Sequence, residues 1–202
     1  MRVKICGLTR VEDALAAERA GADAVGLVFA PRSKRRVGLE RAAAVSRALG
    51  PFIARVGVFV DAPLAEVERA VEAAGLTAVQ LHGQESAEYA ARLRGRVAVL
   101  RAVAFAPGLT PAALAGYPAD AFLLDAAVPG SGTTFAWREA SAWRGHPRLV
   151  LAGGLTPANV GAAVAALAPY AVDVASGVES APGVKDAEAI ARFVAAARAP
   201  RP

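Results

Sequence analysis

Residues 2–29 read RVKICGLTRVEDALAAERAGADAVGLVF and contain one complete unit of strand, helix and strand. Residues 3–6 and 24–29 are short runs of apolar and β-branched residues, which is typical of strands. Residues 11–20 between them carry apolar side chains at the three- and four-residue spacing of an amphipathic helix. Two strands joined by a helix predict neighbouring parallel strands in a sheet that helices cover.

The same unit recurs along the chain at intervals of about 20 to 30 residues, the pattern of βαβ proteins. The predicted strands are residues 3–6, 24–29, 55–60, 78–81, 97–102, 121–125, 149–152 and 171–175. The predicted helices are residues 11–20, 39–49, 63–74, 86–93, 111–114, 137–143, 157–167 and 186–197. Capping residues are expected at several helix ends, namely Thr9, Thr156, Gly21, Gly50 and Gly75.

The predicted strands are apolar throughout rather than alternating, which indicates that both of their faces are buried. Eight such units favour a closed barrel over an open, doubly wound sheet. At 202 residues the chain is short for this fold, which usually takes about 250. Because no linker or composition break interrupts it, we predict an α/β protein in which residues 1–202 form a single (β/α)₈ TIM barrel.

The composition bears on the class of partner. With 55% hydrophobic and 20% charged residues, the chain is predicted to fold around a core rather than remain disordered. A net charge of +5 raises the alternative of nucleic-acid binding. The arginines are scattered, however, and only 6% of residues are aromatic, so neither a basic arm nor a stacking platform is evident. A small anionic substrate fits the charge equally well, and no nucleic-acid partner is expected.

A cytoplasmic location without membrane attachment is expected. No apolar run approaches the roughly 20 residues that a bilayer span requires. The strand pattern begins at Val3, which leaves no room for the apolar core of a signal peptide. The single cysteine, Cys6, cannot form an internal disulfide.

Residues at the ends of the strands are the candidates for catalysis, because active sites of (β/α)₈ barrels lie at the carboxyl ends of the strands. Cys6 ends the first strand and Asp125 the sixth. Alone, Cys6 could be an inert buried thiol and Asp125 a turn or cap residue. At the barrel mouth, Cys6 would act as a base if nearby cations or helix N-termini lower the pKa of its thiol, and a partly desolvated Asp125 would act as an acid. A facing acid and base predict an isomerase.

Two glycine-containing turns predict a phosphate site. Gly153 and Gly154 follow the seventh strand, and Ser176 and Gly177 follow the eighth. The loops after these two strands form the usual phosphate site of this fold, with backbone N–H groups as donors. Each turn alone would be an ordinary connection, but the pair favours a phosphorylated substrate. Residues 129–134, PGSGTT, are interpreted as a loop that closes over it.

The remaining polar strand ends allow several roles. The basic run at residues 32–36 can turn one arginine inward to bind a carboxylate through two hydrogen bonds. His82 can be catalytic or can simply bond to the backbone. With Asp61 it would make a metal pair, but no third ligand stands at a suitable spacing, so no metal site is predicted.

At these positions the sequence resembles the phosphoribosylanthranilate isomerase family of tryptophan biosynthesis. The matching motifs are VKICGLT at residues 3–9, GADAVG at 21–26, PRSKR at 31–35, VGVFV at 56–60, VQLHG at 79–83, LLD at 123–125 and SGVE at 176–179. They run along nearly the whole chain, and the first together with VQLHG is highly specific.

The resemblance implies a TIM barrel that catalyses an Amadori rearrangement without a cofactor. Asp125 would protonate the ring oxygen of the sugar, and Cys6 would remove the C2′ proton from the resulting imine. It also implies that Arg35 faces the anthranilate carboxylate and Asp173 a sugar hydroxyl. His82 is also predicted to bind the substrate, and a homodimer is one assembly that the protein could form.

The chain departs from the family pattern at three positions. Ala136 stands where members often carry aspartate, between Phe135 and Trp137. Ala152 and Ala175 stand where members often carry serine, in the phosphate region. Backbone donors survive these changes, so the expected loss is about one side-chain hydrogen bond, worth about 1 kcal/mol.

Two other functions are consistent with parts of the pattern. One is a related phosphate-binding barrel, such as indole-glycerol-phosphate synthase or another sugar isomerase. The synthase relies on lysine and glutamate at strand ends, whereas the chain has just three lysines, Lys4, Lys34 and Lys185, and Lys4 lies within the first strand, which disfavours the synthase. A barrel that only binds a phosphorylated metabolite would need the phosphate loops alone. It leaves the joint presence of Cys6 and Asp125 unexplained.

Overall fold

In a computed structural model, which describes residues 1–125 and 137–199, parallel strands close into a barrel surrounded by helices. The barrel strands are β1 (Arg2–Cys6), β2 (Ala24–Val28), β3 (Ala54–Phe59), β4 (Ala78–Leu81), β5 (Ala98–Ala104), β6 (Ala121–Asp125), β7 (Leu149–Leu151) and β8 (Ala171–Val174). The hairpin strands β9 (Glu179–Ala181) and β10 (Val184–Lys185) follow. The α-helices are α1 (Val11–Arg19), α2 (Leu39–Ala48), α3 (Leu64–Ala74), α4 (Ala87–Leu93), α5 (Val160–Leu167) and α6 (Ala187–Arg198).

The predicted (β/α)₈ barrel is confirmed. Each strand from β1 to β7 pairs in parallel with the next strand along the chain, and β8 returns to β1. Lys4 of β1 stands opposite Asp173 of β8 in that closing pair. The eight predicted strands are all present, with ends that differ from the prediction by at most two residues.

Two predicted helices are 3₁₀ segments instead. Pro111–Leu114 forms a single 3₁₀ turn, because four residues are too few to repay the cost of starting an α-helix. Trp137–Trp143 is also 3₁₀ and is interrupted by a kink at Ala140. The hairpin of β9 and β10 was not predicted, since strands of two or three residues carry too little pattern.

The predicted helix caps have mixed outcomes. Gly21 and Gly75 adopt positive φ angles of 87° and 58° after α1 and α3, so both predictions are confirmed. Gly50 is not such a cap, because its N–H donates to the Glu18 carboxylate. Thr9 does not cap α1 either: its hydroxyl donates to the carbonyl of Gly183 at 2.6 Å. That bond ties the loop after β1 to the β9–β10 hairpin.

Side chains alternate along the barrel wall and thereby separate the core from the site. On β1, Val3 and Ile5 join the apolar layer between strands and helices. Cys6 instead packs in a small cluster of its own with Val28 and Val58. Among the described residues, no helix combines the length and the apolar character needed to cross a bilayer.

Candidate active site

The carboxyl ends of the strands bring the predicted catalytic residues to one end of the barrel. Cys6 is the last residue of β1, Asp125 is the last of β6, and His82 directly follows β4. Cys6 and Asp125 are each only 7% exposed. Because β7 and β8 separate β6 from β1 in the barrel wall, the thiol and the carboxyl group approach the mouth from different sides.

A glycine in the neighbouring strand makes room for the Cys6 side chain. Gly26 of β2 stands opposite Cys6 in the pairing of β1 with β2. A Cβ atom at Gly26 would lie 2.5 Å from Cys6 Sγ and 3.0 Å from Cys6 Cα. Any larger residue at position 26 would therefore displace the sulfur.

The electrostatic environment of Cys6 differs from the expectation. Burial raises the pKa of the thiol, and the Asp173 carboxylate raises it further. The ammonium groups of Lys4 and Lys185 lower it, but they do not outweigh burial. The expected cations are therefore present, whereas the expected lowering of the Cys6 pKa is wrong for this arrangement.

Asp173 is paired inside the barrel. Lys4 Nζ donates to Asp173 Oδ1 at 2.9 Å, and the two side chains are 4% and 9% exposed. Burial opposes the charged form of Lys4, but the Asp173 carboxylate and the Cys6 sulfur outweigh it, so the pKa of Lys4 is raised. Lys4 lies on the same strand as Cys6, Asp173 lies on the neighbouring strand β8, and both charges act on the thiol.

His82 lies beside the predicted acid. Its Nε2 is 3.5 Å from Asp125 Oδ2, which is longer than a good hydrogen bond. Its Nδ1 is 3.0 Å from Gln80 Nε2. With Gln80 Nε2 as the donor in this contact, Nδ1 accepts, which corresponds to the tautomer that directs its N–H at Asp125.

Arg35 is held by a carboxylate from the hairpin that follows β8. Its Nε and Nη2 donate to Glu179 Oε1 and Oε2 at 2.7 and 2.8 Å. Lys185 Nζ donates to Glu179 Oε1 and to the carbonyl of Ala175, both at 2.9 Å. Burial opposes ionisation of Glu179, but these two cations outweigh it and lower the Glu179 pKa. The Arg35 side chain crosses directly over Gly7, which has no Cβ to block it.

The loops after β7 and β8 are in close contact. Gly153 and Gly154 have positive φ angles of 83° and 61°. A Cβ at Gly177 would overlap the backbone carbonyl of Leu155, so only glycine allows this approach. The two predicted phosphate turns, Gly153-Gly154 and Ser176-Gly177, therefore lie on adjoining loops.

The start of helix α5 differs from the prediction. The helix begins at Val160, three residues later than predicted, and no side chain caps it. Asn159 instead closes the preceding turn, since its Oδ1 accepts from the N–H of Thr156 at 2.7 Å and its Nδ2 donates to the carbonyl of Gly154 at 2.9 Å. Asn159 thus fixes the backbone after the two glycines.

Asp61 joins neighbouring loops rather than a metal site. Its φ is +49°, its carboxylate accepts from the N–H of Gln84, and its own N–H donates to Glu85 Oε1 at 2.9 Å. Glu85 also pairs with Arg101 at 2.8 Å. Within residues 1–125 and 137–199, no three His, Cys, Asp or Glu side chains are grouped to hold a metal ion. The predicted closing loop 129–134 lies outside the described residues.

Sequence reasoning missed the charged partners around the site. The sequence places Lys4 within the first predicted strand and indicates no role for it, for Glu179 or for Lys185. One signal was available: Lys4 precedes Cys6 by two residues, so both side chains project from the same face of β1. No comparable pattern marks Lys185, because its strand has only two residues.

A closed parallel barrel with a buried thiol and a buried carboxyl group at its strand ends defines a (β/α)₈-barrel enzyme. The family model described as N-(5'phosphoribosyl)anthranilate (PRA) isomerase matches residues 3–196. The chain belongs to this family, whose members are isomerases of tryptophan biosynthesis.

Individual relatives agree along their whole lengths. An N-(5'-phosphoribosyl)anthranilate isomerase of Geobacter sp. (strain M21) is 51% identical over 201 residues, covering 98% of both chains. The phosphoribosyl anthranilate isomerase structure from Thermus thermophilus is 49% identical, with a TM-score of 0.91 over 97% of this chain and 98% of that one. A further isomerase structure, 40% identical with a TM-score of 0.87 over 98% of both chains, holds reduced 1-(o-carboxyphenylamino)-1-deoxyribulose 5-phosphate.

Proposed function

We propose that the protein converts N-(5-phosphoribosyl)anthranilate to 1-(2-carboxyphenylamino)-1-deoxyribulose 5-phosphate, with Asp125 as general acid and Cys6 as general base. The observation that carries this proposal is the pair of buried groups, one thiol and one carboxyl, at the ends of β1 and β6. The ligand in the related 40% identical structure is a reduced form of this product.

The proposed reaction begins with two proton transfers, one from Asp125 and one to Cys6. Asp125 donates a proton to the ring oxygen, and the C1′–O bond breaks to give an open-chain protonated imine. Cys6 then removes the C2′ proton, and the electron pair of the broken C2′–H bond forms the C1′–C2′ double bond of an enolamine and neutralises the iminium. The enolamine tautomerises to the ketone, so C1′ is reduced and C2′ oxidised within one molecule. This internal aldose–ketose exchange needs no cofactor.

His82 supports the acid role of Asp125. Its Nε2–H faces Asp125 Oδ2 at 3.5 Å, and a shift of about 0.5 Å would bring the pair to hydrogen-bond distance. Such a bond stabilises the carboxylate that remains after Asp125 has given up its proton. The same hydrogen bond also keeps the Asp125 carboxylate oriented to take up a proton again. His82 is proposed to contact the substrate as well.

Substrate binding is assigned to the two ends of the mouth. Arg35 is proposed to bind the anthranilate carboxylate through the guanidinium edge that Glu179 does not occupy. Gly153, Gly154, Ser176 and Gly177 are proposed to hold the phosphate through their backbone N–H groups.

Asp173 is proposed to meet a sugar hydroxyl. Lys4 engages Asp173 Oδ1, which leaves Oδ2 as the acceptor for that contact. We further propose that the protein is a cytoplasmic, single-domain enzyme. Its ligand is a small phosphorylated molecule, and neither nucleic acid nor a membrane is a partner.

Turnover by three variants tests the assignment. Cys6→Ala and Asp125→Asn should each lower kcat by several orders of magnitude while circular dichroism shows a folded barrel. Arg35→Met should mainly raise KM. Near-normal kcat in either of the first two variants refutes the role of that residue. A wild-type protein that binds the substrate without converting it would instead be a metabolite sensor.

A homodimer is proposed through the amino-terminal end of the barrel. A cavity of about 600 Å³ opens there among the alanines that begin several strands, including Ala54, Ala78 and Ala98. Phe52 stands at its rim and is fully exposed. A second copy would supply an apolar side chain of this kind to each cavity in a two-fold arrangement. Sedimentation of the wild type and of Phe52→Glu tests this, since only the wild type should dimerise.

A further inference from the structure

We propose that Lys4 is a positioning residue that holds its ammonium group beside the Cys6 sulfur and stabilises the thiolate, while Asp173 holds that ammonium group in place. This inference rests on the proposed function in one respect, because it is the proposed function that makes Cys6 a catalytic base. The electrostatic relation between the three residues can be tested without substrate.

The geometry of the barrel wall brings these residues together. Lys4 and Cys6 are two residues apart on β1, so their side chains project from the same face of the strand. Asp173 stands opposite Lys4 in the pairing of β1 with β8. The Lys4 Nζ to Asp173 Oδ1 distance of 2.9 Å fixes the end of the lysine side chain. Only one of the three N–H groups of Nζ is needed for that bond.

The charges around the thiol favour an anion. Three cations act on Cys6, namely Lys4 from β1, Lys185 from β10 and Arg35 from the loop after β2. Two carboxylates accompany them, Asp173 from β8 and Glu179 from the hairpin. The cluster therefore carries one net positive charge when Cys6 is a thiol and none when it is a thiolate. Without Lys4 the cluster is neutral when Cys6 is a thiol and carries one net negative charge when Cys6 is a thiolate.

The other two cations are already committed. Arg35 uses two N–H groups on Glu179, and Lys185 donates to Glu179 and to the Ala175 carbonyl. Lys4 has a single described acceptor besides the sulfur, the Asp173 carboxylate. It is therefore the cation best able to turn an N–H toward the thiolate.

A purely structural explanation of this ion pair is weaker. Taking an ammonium and a carboxylate out of water costs several kcal/mol per ion, and buried pairs are often replaced by apolar residues without loss of stability. A lysine and an aspartate next to the only cysteine are thus poorly explained by stability alone. They are well explained if the site requires the positive charge of Lys4 beside the Cys6 sulfur.

The test is the pH dependence of Cys6 alkylation by iodoacetamide, followed by mass spectrometry. The chain has one cysteine, so the modified site is unambiguous, and only the thiolate reacts. Lys4→Gln should move the midpoint of the alkylation rate to higher pH by about 1 to 3 units, the usual effect of a charge within 4–6 Å. Asp173→Asn keeps an acceptor for Nζ but removes the negative charge, so its midpoint should move to lower pH.

The two opposite shifts distinguish electrostatics from simple disruption. Lys34→Gln is the matched control, since it removes the same charge from an exposed side chain and should leave the midpoint unchanged. Unchanged midpoints in both site variants, or shifts in the same direction, overturn the proposal. If Lys4→Gln does not fold, the direction of the Asp173→Asn shift alone decides.

The activity profile separates this inference from the proposed function. With Cys6 as the base, the ascending limb of kcat/KM against pH should move with the alkylation midpoint in each variant. If the alkylation midpoints shift as expected and the activity profile does not, Cys6 is not the base. In that outcome the electrostatic inference stands and the catalytic assignment fails.

Discussion

Replacing Gly26 by alanine tests whether the position of the Cys6 sulfur determines activity. The new Cβ would lie 2.5 Å from Sγ, whereas non-bonded heavy atoms pack best at about 3.5 to 4.0 Å, so the sulfur must move by about 1 Å. Such overpacking costs about 1 to 3 kcal/mol. At roughly 2 to 4 °C per kcal/mol for a chain of this length, Tm should fall by about 2 to 12 °C.

The effect on catalysis should exceed the effect on stability. A displacement of about 1 Å at a reacting group can cost about 100-fold in rate, so kcat/KM should fall by about that factor at temperatures where the variant remains folded. Initial rates and thermal unfolding of Gly26→Ala measure both effects. Gly116→Ala is the control, because a Cβ there meets no atom within 4 Å.

A double-mutant cycle then identifies the clash. In a Cys6→Ala background the sulfur is absent, so Gly26→Ala should cost less stability than it does in the wild type. The two contacts that remain, at 3.0 Å from the Cα and 3.2 Å from the Cβ of residue 6, set the residual cost. The reasoning is refuted if Gly26→Ala keeps kcat/KM within a factor of three of the wild-type value.

Three further predictions concern the surroundings of the site. Arg101→Met should cost about 3 to 5 kcal/mol of unfolding free energy in urea titrations, because it leaves the buried Glu85 carboxylate without its cation; a loss below 1 kcal/mol would contradict this. Gly177→Ala should raise KM for the phosphorylated substrate more than it lowers kcat, because the clash separates the two phosphate loops; steady-state kinetics measure the split. The folded-state pKa of Glu179 is depressed, so its contribution to stability is present above about pH 4.5 and is lost as pH falls below that value. Unfolding free energy measured from pH 7 to pH 3 should therefore decline less steeply in Glu179→Gln.

The barrel and the placement of Cys6 and Asp125 at its strand ends could be predicted from the sequence because local patterns determine them. Short apolar strands at regular intervals fix the topology, and the rule that function lies at strand ends selects Cys6 and Asp125. The places where prediction failed are those where tertiary contacts replace local ones. Thr9, for example, has a cap-forming side chain but donates instead to Gly183, which is 174 residues away.

The charged partners of the site could not be predicted for the same reason. Arg35 and Glu179 are 144 residues apart in the chain, and Lys4 and Asp173 are 169 apart. Neither pair shares a helix face or a hairpin, so no spacing relates them. The pKa of Cys6 depends on burial and on both of these charged pairs. The rule that function lies at strand ends concerns position only, so it could not indicate whether the Cys6 pKa is raised or lowered.

The Arg35–Glu179 pair also bears on how the site binds a doubly anionic substrate. An unpaired arginine would lose much of its side-chain freedom on binding a carboxylate, at a cost of about 0.5 to 1.5 kcal/mol. Glu179 restrains Arg35 beforehand, and Lys185 in turn holds Glu179. Glu179 cancels one of the two positive charges of Arg35 and Lys185. Arg35 therefore contributes to binding mainly through the direction of its N–H donors and less through its charge. Recognition of the carboxylate should therefore depend on geometry, and Glu179→Gln should raise KM even though it makes the site more positive.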